Sequence, residues 1–183
     1  MKKSIIIVAV IAIIVAIVFG VMILNKKGDT EKKQEVKIET VGEMKEIFSN
    51  IYEKLGNELP SIDTQEIDTT DEEMVKSFTG LKSAEKVEAL VVSEPMMSSQ
   101  AYSAVLVKVS KDADIEEMKK EMIDNIDIRK WICVSAEKVY VTNCGDVIFL
   151  IMSSEDWAKP VYDEFKKEVD GNIGKELQRT EEI

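Results

Sequence analysis

Twenty-one consecutive residues without a charge, "SIIIVAVIAIIVAIVFGVMIL" from Ser4 to Leu24, decide more about this chain than any other feature. As a helix they would extend about 31 Å, enough to cross a hydrocarbon core of about 30 Å. A run that is apolar all round has no polar face to show to water, so it must be buried in lipid or in a large core. The apolar part of a cleavable signal peptide is shorter and ends in small residues of the A-x-A kind. This run instead leaves through "MILNKKG", and no cysteine follows it to carry a lipid. The reading is an uncleaved N-terminal signal anchor, residues 1–25, with the lipid bilayer as partner of residues 4–24.

Lys2 and Lys3 hold the short tail inside by the positive-inside rule, while Lys26, Lys27, Lys32, Lys33 and Lys37 crowd the other end. A literal count places that second side in the cytoplasm. The three-residue tail gives little to count, however, and Asp29, Glu31 and Glu35 are interspersed on the far side, so the soluble part is read as extracytoplasmic.

Charge then limits the partners. The first four charged residues are all lysines, which leaves 20 of the 24 basic and all 35 acidic side chains to residues 28–183, a net of −15. Phosphate backbones and anionic lipid surfaces repel such a domain, so nucleic acid is not an expected partner. Histidine is absent, which removes the usual base of Ser-His-Asp and Cys-His catalysis and the commonest metal ligand. Lysine and carboxylates remain available for acid–base work.

Residues 26–39 read as a polar linker, 40–173 as one α+β domain, and 174–183 as a flexible charged tail. Thr40 with Glu43 forms a capping box ahead of Val41, Met44, Phe48, Ile51, Tyr52 and Leu55 at helical spacing, stopped by Gly56-Asn57. "LPSIDTQEIDTTDEE" reads as a loop closed by a second box, Thr70 with Glu73, before a short helix ending at Gly80; Ser83 then caps one further turn. "ALVVSE" and "AYSAVLVKVS" read as a hairpin. Asp114 with Glu117 caps a helix carrying Ile115, Met118, Met122 and Ile126 and reaching Trp131. "EKVYVT" and "DVIFLIM" form a second hairpin, with Asn143 and Gly145 supplying the positive φ of its turn. A last helix carries Trp157, Val161, Phe165 and Val169, with Pro160 placed in its first turn. The expected fold is α+β: N-terminal helices and a ββαββα unit whose antiparallel sheet is packed on one face by two helices. "VIFLIM" and "AVLV" are apolar on both alternating faces, so the second face needs a cover: the 41–55 helix, a partner or a dimer mate.

Candidate sites are few. Pro95, Met96 and Met97 interrupt the first hairpin. In an extended segment adjacent side chains point opposite ways, so one methionine is expected in the core and its neighbour outside, with a contact lip as the alternative. Cys133 and Cys144 lie eleven positions apart, which fits no zinc motif; free thiols, a disulfide and a reactive thiol are the readings open to them. "DTTDEE" lacks the order and central glycine of a calcium loop and is explained by helix capping. Glu116, Glu117, Glu121 and Asp124 fit a solvated helix face with i,i+4 pairs. No residue is assigned to catalysis, to a metal or to a cofactor.

The stretch "VEALVVSEPMMSSQAYSAVLVKVSKDADIEEMKKEMIDN" resembles an uncharacterised family of bacterial domains found in membrane-anchored or lipoprotein-like extracytoplasmic proteins of Gram-positive bacteria. The shared pattern is a strand ending in a proline–methionine or methionine–methionine step, a small polar turn, a second apolar strand and an acidic helix. "VTNCGDVIFLIMSSE" resembles that family's glycine turn and following strand, and the likeness spans about residues 41 to 170. This chain departs in having a signal anchor and in placing Cys144 in the turn. The resemblance implies an extracytoplasmic location and supplies no activity. The functional expectation is a non-enzymatic binding or assembly module of the cell envelope, meeting an envelope protein or a second copy of itself; the alternatives are an envelope hydrolase using carboxylates and a cytoplasm-facing regulatory domain.

Overall fold

The structure, a computed structural model, describes residues 36–181. The anchor over 4–24 and most of the polar linker lie outside the described residues. Among the described residues no helix is long and apolar enough to cross a membrane.

The chain forms α1 (Val41–Leu55), a 3-10 turn (Gly56–Glu58), β1 (Ile62–Ile67), α2 (Glu72–Thr79), β2 (Val87–Pro95), β3 (Tyr102–Val109), α3 (Ile115–Asn125), β4 (Lys138–Cys144), β5 (Val147–Ser153), α4 (Glu155–Glu168) and β6 (Leu177–Thr180). The capping box of α1 is present: the Glu43 amide donates to Thr40 Oγ1 at 3.2 Å, and the Glu43 carboxylate accepts the Thr40 amide at 2.8 Å. At α2 the cap falls one residue later than expected. Asp71 accepts the Met74 amide at 3.1 Å, while Thr70 gives its amide and hydroxyl to Asp68 in a turn. Ser83 caps no helix; its hydroxyl accepts the Glu85 amide in the turn before β2. Helix α3 is capped by Asp114 and stops at Asn125 rather than continuing to Trp131, because Ile126 is extended and Asp127 accepts the Arg129 amide in a turn of its own. Pro160 is the sixth residue of α4, past the first turn, so the bond to the Asp156 carbonyl is not made there.

Six strands form one sheet in the order β1-β2-β3-β5-β4-β6, every neighbouring pair antiparallel. Two of these strands were not expected. β1 occupies the "loop" over 62–67, and β6 lies within the charged tail, paired with β4. At the other end of the domain the linker is already part of the fold by Ile38, which is buried and gives its carbonyl to Lys108 Nζ at 3.2 Å. In the β4–β5 hairpin Cys144 pairs with Val147 around Gly145 (φ +56°). Gly145 alone supplies the positive φ; Asn143 stays in the strand and accepts a hydrogen bond from Lys119 at 2.7 Å.

The α+β class with an antiparallel sheet is as expected, but the layering differs. Helices cover both faces. One face carries Leu90, Val105, Val107, Val141, Ile148 and Leu150 against Val75 of α2 and Met118 and Met122 of α3. The other carries Leu106, Phe149 and Ile151 against Met44, Phe48 and Ile51 of α1 and Val161 and Phe165 of α4. Connection handedness explains the split. The crossovers β3–α3–β4 and β5–α4–β6 each step over one strand in the same direction across the sheet, yet β3 and β5 run oppositely. Two right-handed crossovers must then place their helices on opposite faces. The doubly apolar strand β5 is buried throughout by the chain's own helices.

Tyr102, Tyr140 and Tyr162 are buried and Tyr52 is half-buried, and all four hydroxyls have partners. Tyr52 Oη donates to Ser93 Oγ at 2.6 Å and lies 2.9 Å from Tyr102 Oη; Tyr140 donates to Glu155 and Tyr162 to Glu176. Burial is the main cause that raises every one of these phenols, with Tyr140 pushed up to about 12, further helped by Glu155. The unfolded chain loses these protons near pH 10 and the native state holds them longer, so this stabilisation is complete below about pH 10 and is lost as pH climbs through the native values. In an alkaline titration, tyrosinate absorbance is expected to stay absent past about pH 10 and then to rise in one step with loss of circular dichroism. A gradual rise with the fold intact would show that the phenols are solvated.

Candidate interaction site

Strand β2 ends at Pro95, opposite Ile62 of β1, and the extended geometry ends with it. Met96 and Met97 therefore sit in a loop, and both point outward, 78% and 62% exposed. The alternation expected of an extended segment places one methionine inside; with the backbone bent, neither is buried. The loop is tied down on both sides, since the Met96 amide donates to the Ser61 carbonyl at 3.3 Å and the Ser98 carbonyl accepts the Ile132 amide at 3.1 Å.

That second bond brings in a residue the sequence reading missed. Ile132, in the segment between α3 and β4, is 66% exposed. Among the described residues four large hydrophobic side chains are exposed, and three of them, Met96, Met97 and Ile132, belong to these two joined loops. The sequence reading carries the α3 helix as far as Trp131 and gives the next residue, Ile132, no role.

Beneath the loops Lys130 fastens the two segments together. Its Nζ lies 2.5 Å from Glu94 Oε1, donates to Ser103 Oγ at 3.2 Å, and stands 4.8 Å from the ring centre of Phe78 and 5.5 Å from that of Trp131. Only 16% of the Lys130 side chain and 26% of that of Glu94 is exposed. Burial lowers the ammonium pKa, and Glu94 opposes the shift. An ion pair this deep contributes less to net stability than to geometry, because desolvation offsets much of the attraction. Its effect is to fix the loop of Ile132 against the turn end of the β2–β3 hairpin, next to the Met96–Met97 loop. Beside the loops a shallow cavity of about 260 Å³ is lined by residues including Ala101, Val134 and Trp157.

The two cysteines lie at opposite ends of the sheet and form no disulfide with one another. Cys133 is exposed, next to Ile132, with φ +60°, whereas Cys144 is buried in the β4–β5 hairpin with its thiol 3.4 Å from the Val36 carbonyl. The length of β4 alone separates them by about 20 Å, far beyond the reach of a disulfide. The "DTTDEE" carboxylates serve the turn and α2: Asp68 holds Thr70, Asp71 caps the helix, and Glu72 and Glu73 flank Lys76 at 3.4 and 3.5 Å. On α3, Glu116 pairs with Lys119 at 2.5 Å and Asp124 with Lys120.

No protein-family model, curated protein or solved structure matches this chain.

Proposed function

We propose that this is a single-pass membrane protein whose acidic domain stands outside the membrane and works as a non-enzymatic binding or assembly module of the cell envelope. In this reading the lip formed by Met96, Met97 and Ile132 docks another envelope protein. The observation that carries it is the concentration of exposed apolar side chains in two loops that a half-buried ion pair holds together. Scattered exposed apolar residues are ordinary, but a joined group rimmed by polar residues is a mark of an interaction surface. Methionine suits it, being flexible and polarisable enough to fit a partner's contours. The uncharged run at 4–24 and the family resemblance support the anchor and the location; the net of −15 over residues 28–183 favours a protein partner over anionic lipid or nucleic acid.

Met97→Lys tests the lip. Because Met97 is exposed and outside any element, the change is expected to move stability by no more than about 0.5 kcal/mol. A buried charge at the centre of a docked interface costs much more, so complex formation in cells is expected to fall by about tenfold or more. An unchanged complex with an intact fold would remove the lip from the interface. Reporter fusions after Ile183, one active only outside the membrane and one only inside, test the location separately; activity of the inside reporter alone would make the domain cytoplasmic.

A further inference from the structure

At the opposite lateral edge of the sheet from β1, strand β6 has β4 on one side and no strand on the other among the described residues. The Glu181 amide donates to the Glu137 carbonyl at 2.9 Å. By the alternation of an antiparallel ladder, the main-chain groups of Leu177 and Arg179 then face β4, and those of Gln178 and Thr180 face outward. Edge strands are commonly guarded by a charged side chain. Arg179, the only charged residue of β6, does not serve that way: its guanidinium donates to the Ile123 and Ile126 carbonyls at the end of α3.

A groove runs along each face of this edge, and Leu177 and Gln178 line both. The groove on the α3 side has a volume of about 600 Å³ and includes Asp114, Glu116, Glu117 and Asp124 against Lys120 and Lys175. The groove on the α4 side, about 290 Å³, is walled by the rings of Tyr140 and Tyr162 with Lys159, Lys166 and Glu176.

We propose that the β6 edge is a second docking site, taking an extended segment of a partner protein as a seventh strand, with lysine or arginine side chains on its α3 side and apolar or aromatic ones on its α4 side. Main-chain bonds to Gln178 and Thr180 provide the attachment, and the two grooves read alternate side chains. The acid-rich α3 groove selects for basic residues. A second copy fits poorly. Two β6 strands paired about a two-fold axis normal to the sheet would bring both acidic α3 walls to the same face. The site shares no residue with the lip, which lies at the strand ends after β2 and before β4.

The test uses the full-length protein in detergent micelles and the acetylated heptapeptide Lys-Val-Lys-Tyr-Lys-Val-Lys, followed by amide hydrogen exchange. Without peptide, the Gln178 and Thr180 amides are expected to exchange freely. With it they are expected to slow by about tenfold or more. The same peptide with Glu in place of Lys is expected to give no protection. Gln178→Pro removes an outward amide while sparing the ladder to β4, and is expected to abolish protection at Thr180. Glu117→Lys, on the exposed wall of the groove, is expected to weaken the Lys peptide several-fold with the fold unchanged, and Met97→Lys to leave it unaffected. Protection of Gln178 and Thr180 before peptide is added would mean that another part of the chain or a second copy already occupies the edge, and would overturn the proposal. So would equal binding of the Lys and Glu peptides.

Discussion

Phe149→Ala is expected to lower the free energy of unfolding by about 3–5 kcal/mol, read as a shift of the urea midpoint at unchanged slope. Phe149 lies in β5 at the middle of the sheet, facing Leu106 of β3 and Thr142 of β4, and is fully buried. Its ring stacks on Phe165 of α4 at 4.2 Å between centroids, with Phe48 of α1 and Tyr162 of α4 each at 6.3 Å. One side chain thus joins both helices of that layer to the sheet, and removing it leaves a cavity that neither helix can fill without leaving its other contacts. Against a typical total of about 5–15 kcal/mol, this is enough to leave the domain marginal. Phe149→Leu, which keeps most of the volume, is expected to cost distinctly less. A loss below about 1 kcal/mol for the alanine variant would contradict the packing of α1 and α4 on this face.

Gly80→Ala is expected to be strongly destabilising. Gly80 ends α2 with φ +76°, and a Cβ there would lie 2.7 Å from the Ile126 amide nitrogen and 2.9 Å from the Met122 carbonyl oxygen. Both are backbone atoms, and they bond to each other at the end of α3. The substitution therefore forces α2 and α3 apart in addition to the left-handed backbone penalty of about 1–2 kcal/mol. Gly145→Ala isolates that penalty, since φ is +56° and nothing lies within 4 Å of the added carbon. Measured by denaturation, Gly145→Ala is expected to cost about 1 kcal/mol and Gly80→Ala at least twice as much. Equal losses would mean that α2 and α3 approach less closely than described.

Elements that combine a local cap with an apolar period were legible before the structure. Thr40 and Glu43 with Met44, Phe48 and Ile51 mark α1 by short-range chemistry alone, and Asp114 does the same for the start of α3. β1 and β6 were not legible. "IDTQEI" and "LQRT" expose about half their side chains, so no apolar alternation marks them, and their order comes from ladder bonds to β2 and β4, distant in sequence. Nor could local pattern say which face each helix covers. Both α3 and α4 follow a strand of a hairpin, and only the spatial order β3-β5-β4-β6 with right-handed crossovers sends them to opposite sides. Met96 and Met97 could be singled out as unusual, but their common exposure depends on the chain bending after Pro95. Ile132 joins them through a bond to Ser98 that no sequence window spans.

The central claim is that the two joined loops form one contact surface for another envelope protein. Photo-crosslinking residues placed singly at Met97 and at Ile132 of the full-length protein in living cells test it most directly. Both positions are expected to yield the same adduct, of one discrete size and distinct from a dimer of this chain, and Ile132→Lys is expected to abolish the adduct formed from position 97. Absence of an adduct at both positions, or an adduct from position 97 that Ile132→Lys leaves unchanged, would contradict the account.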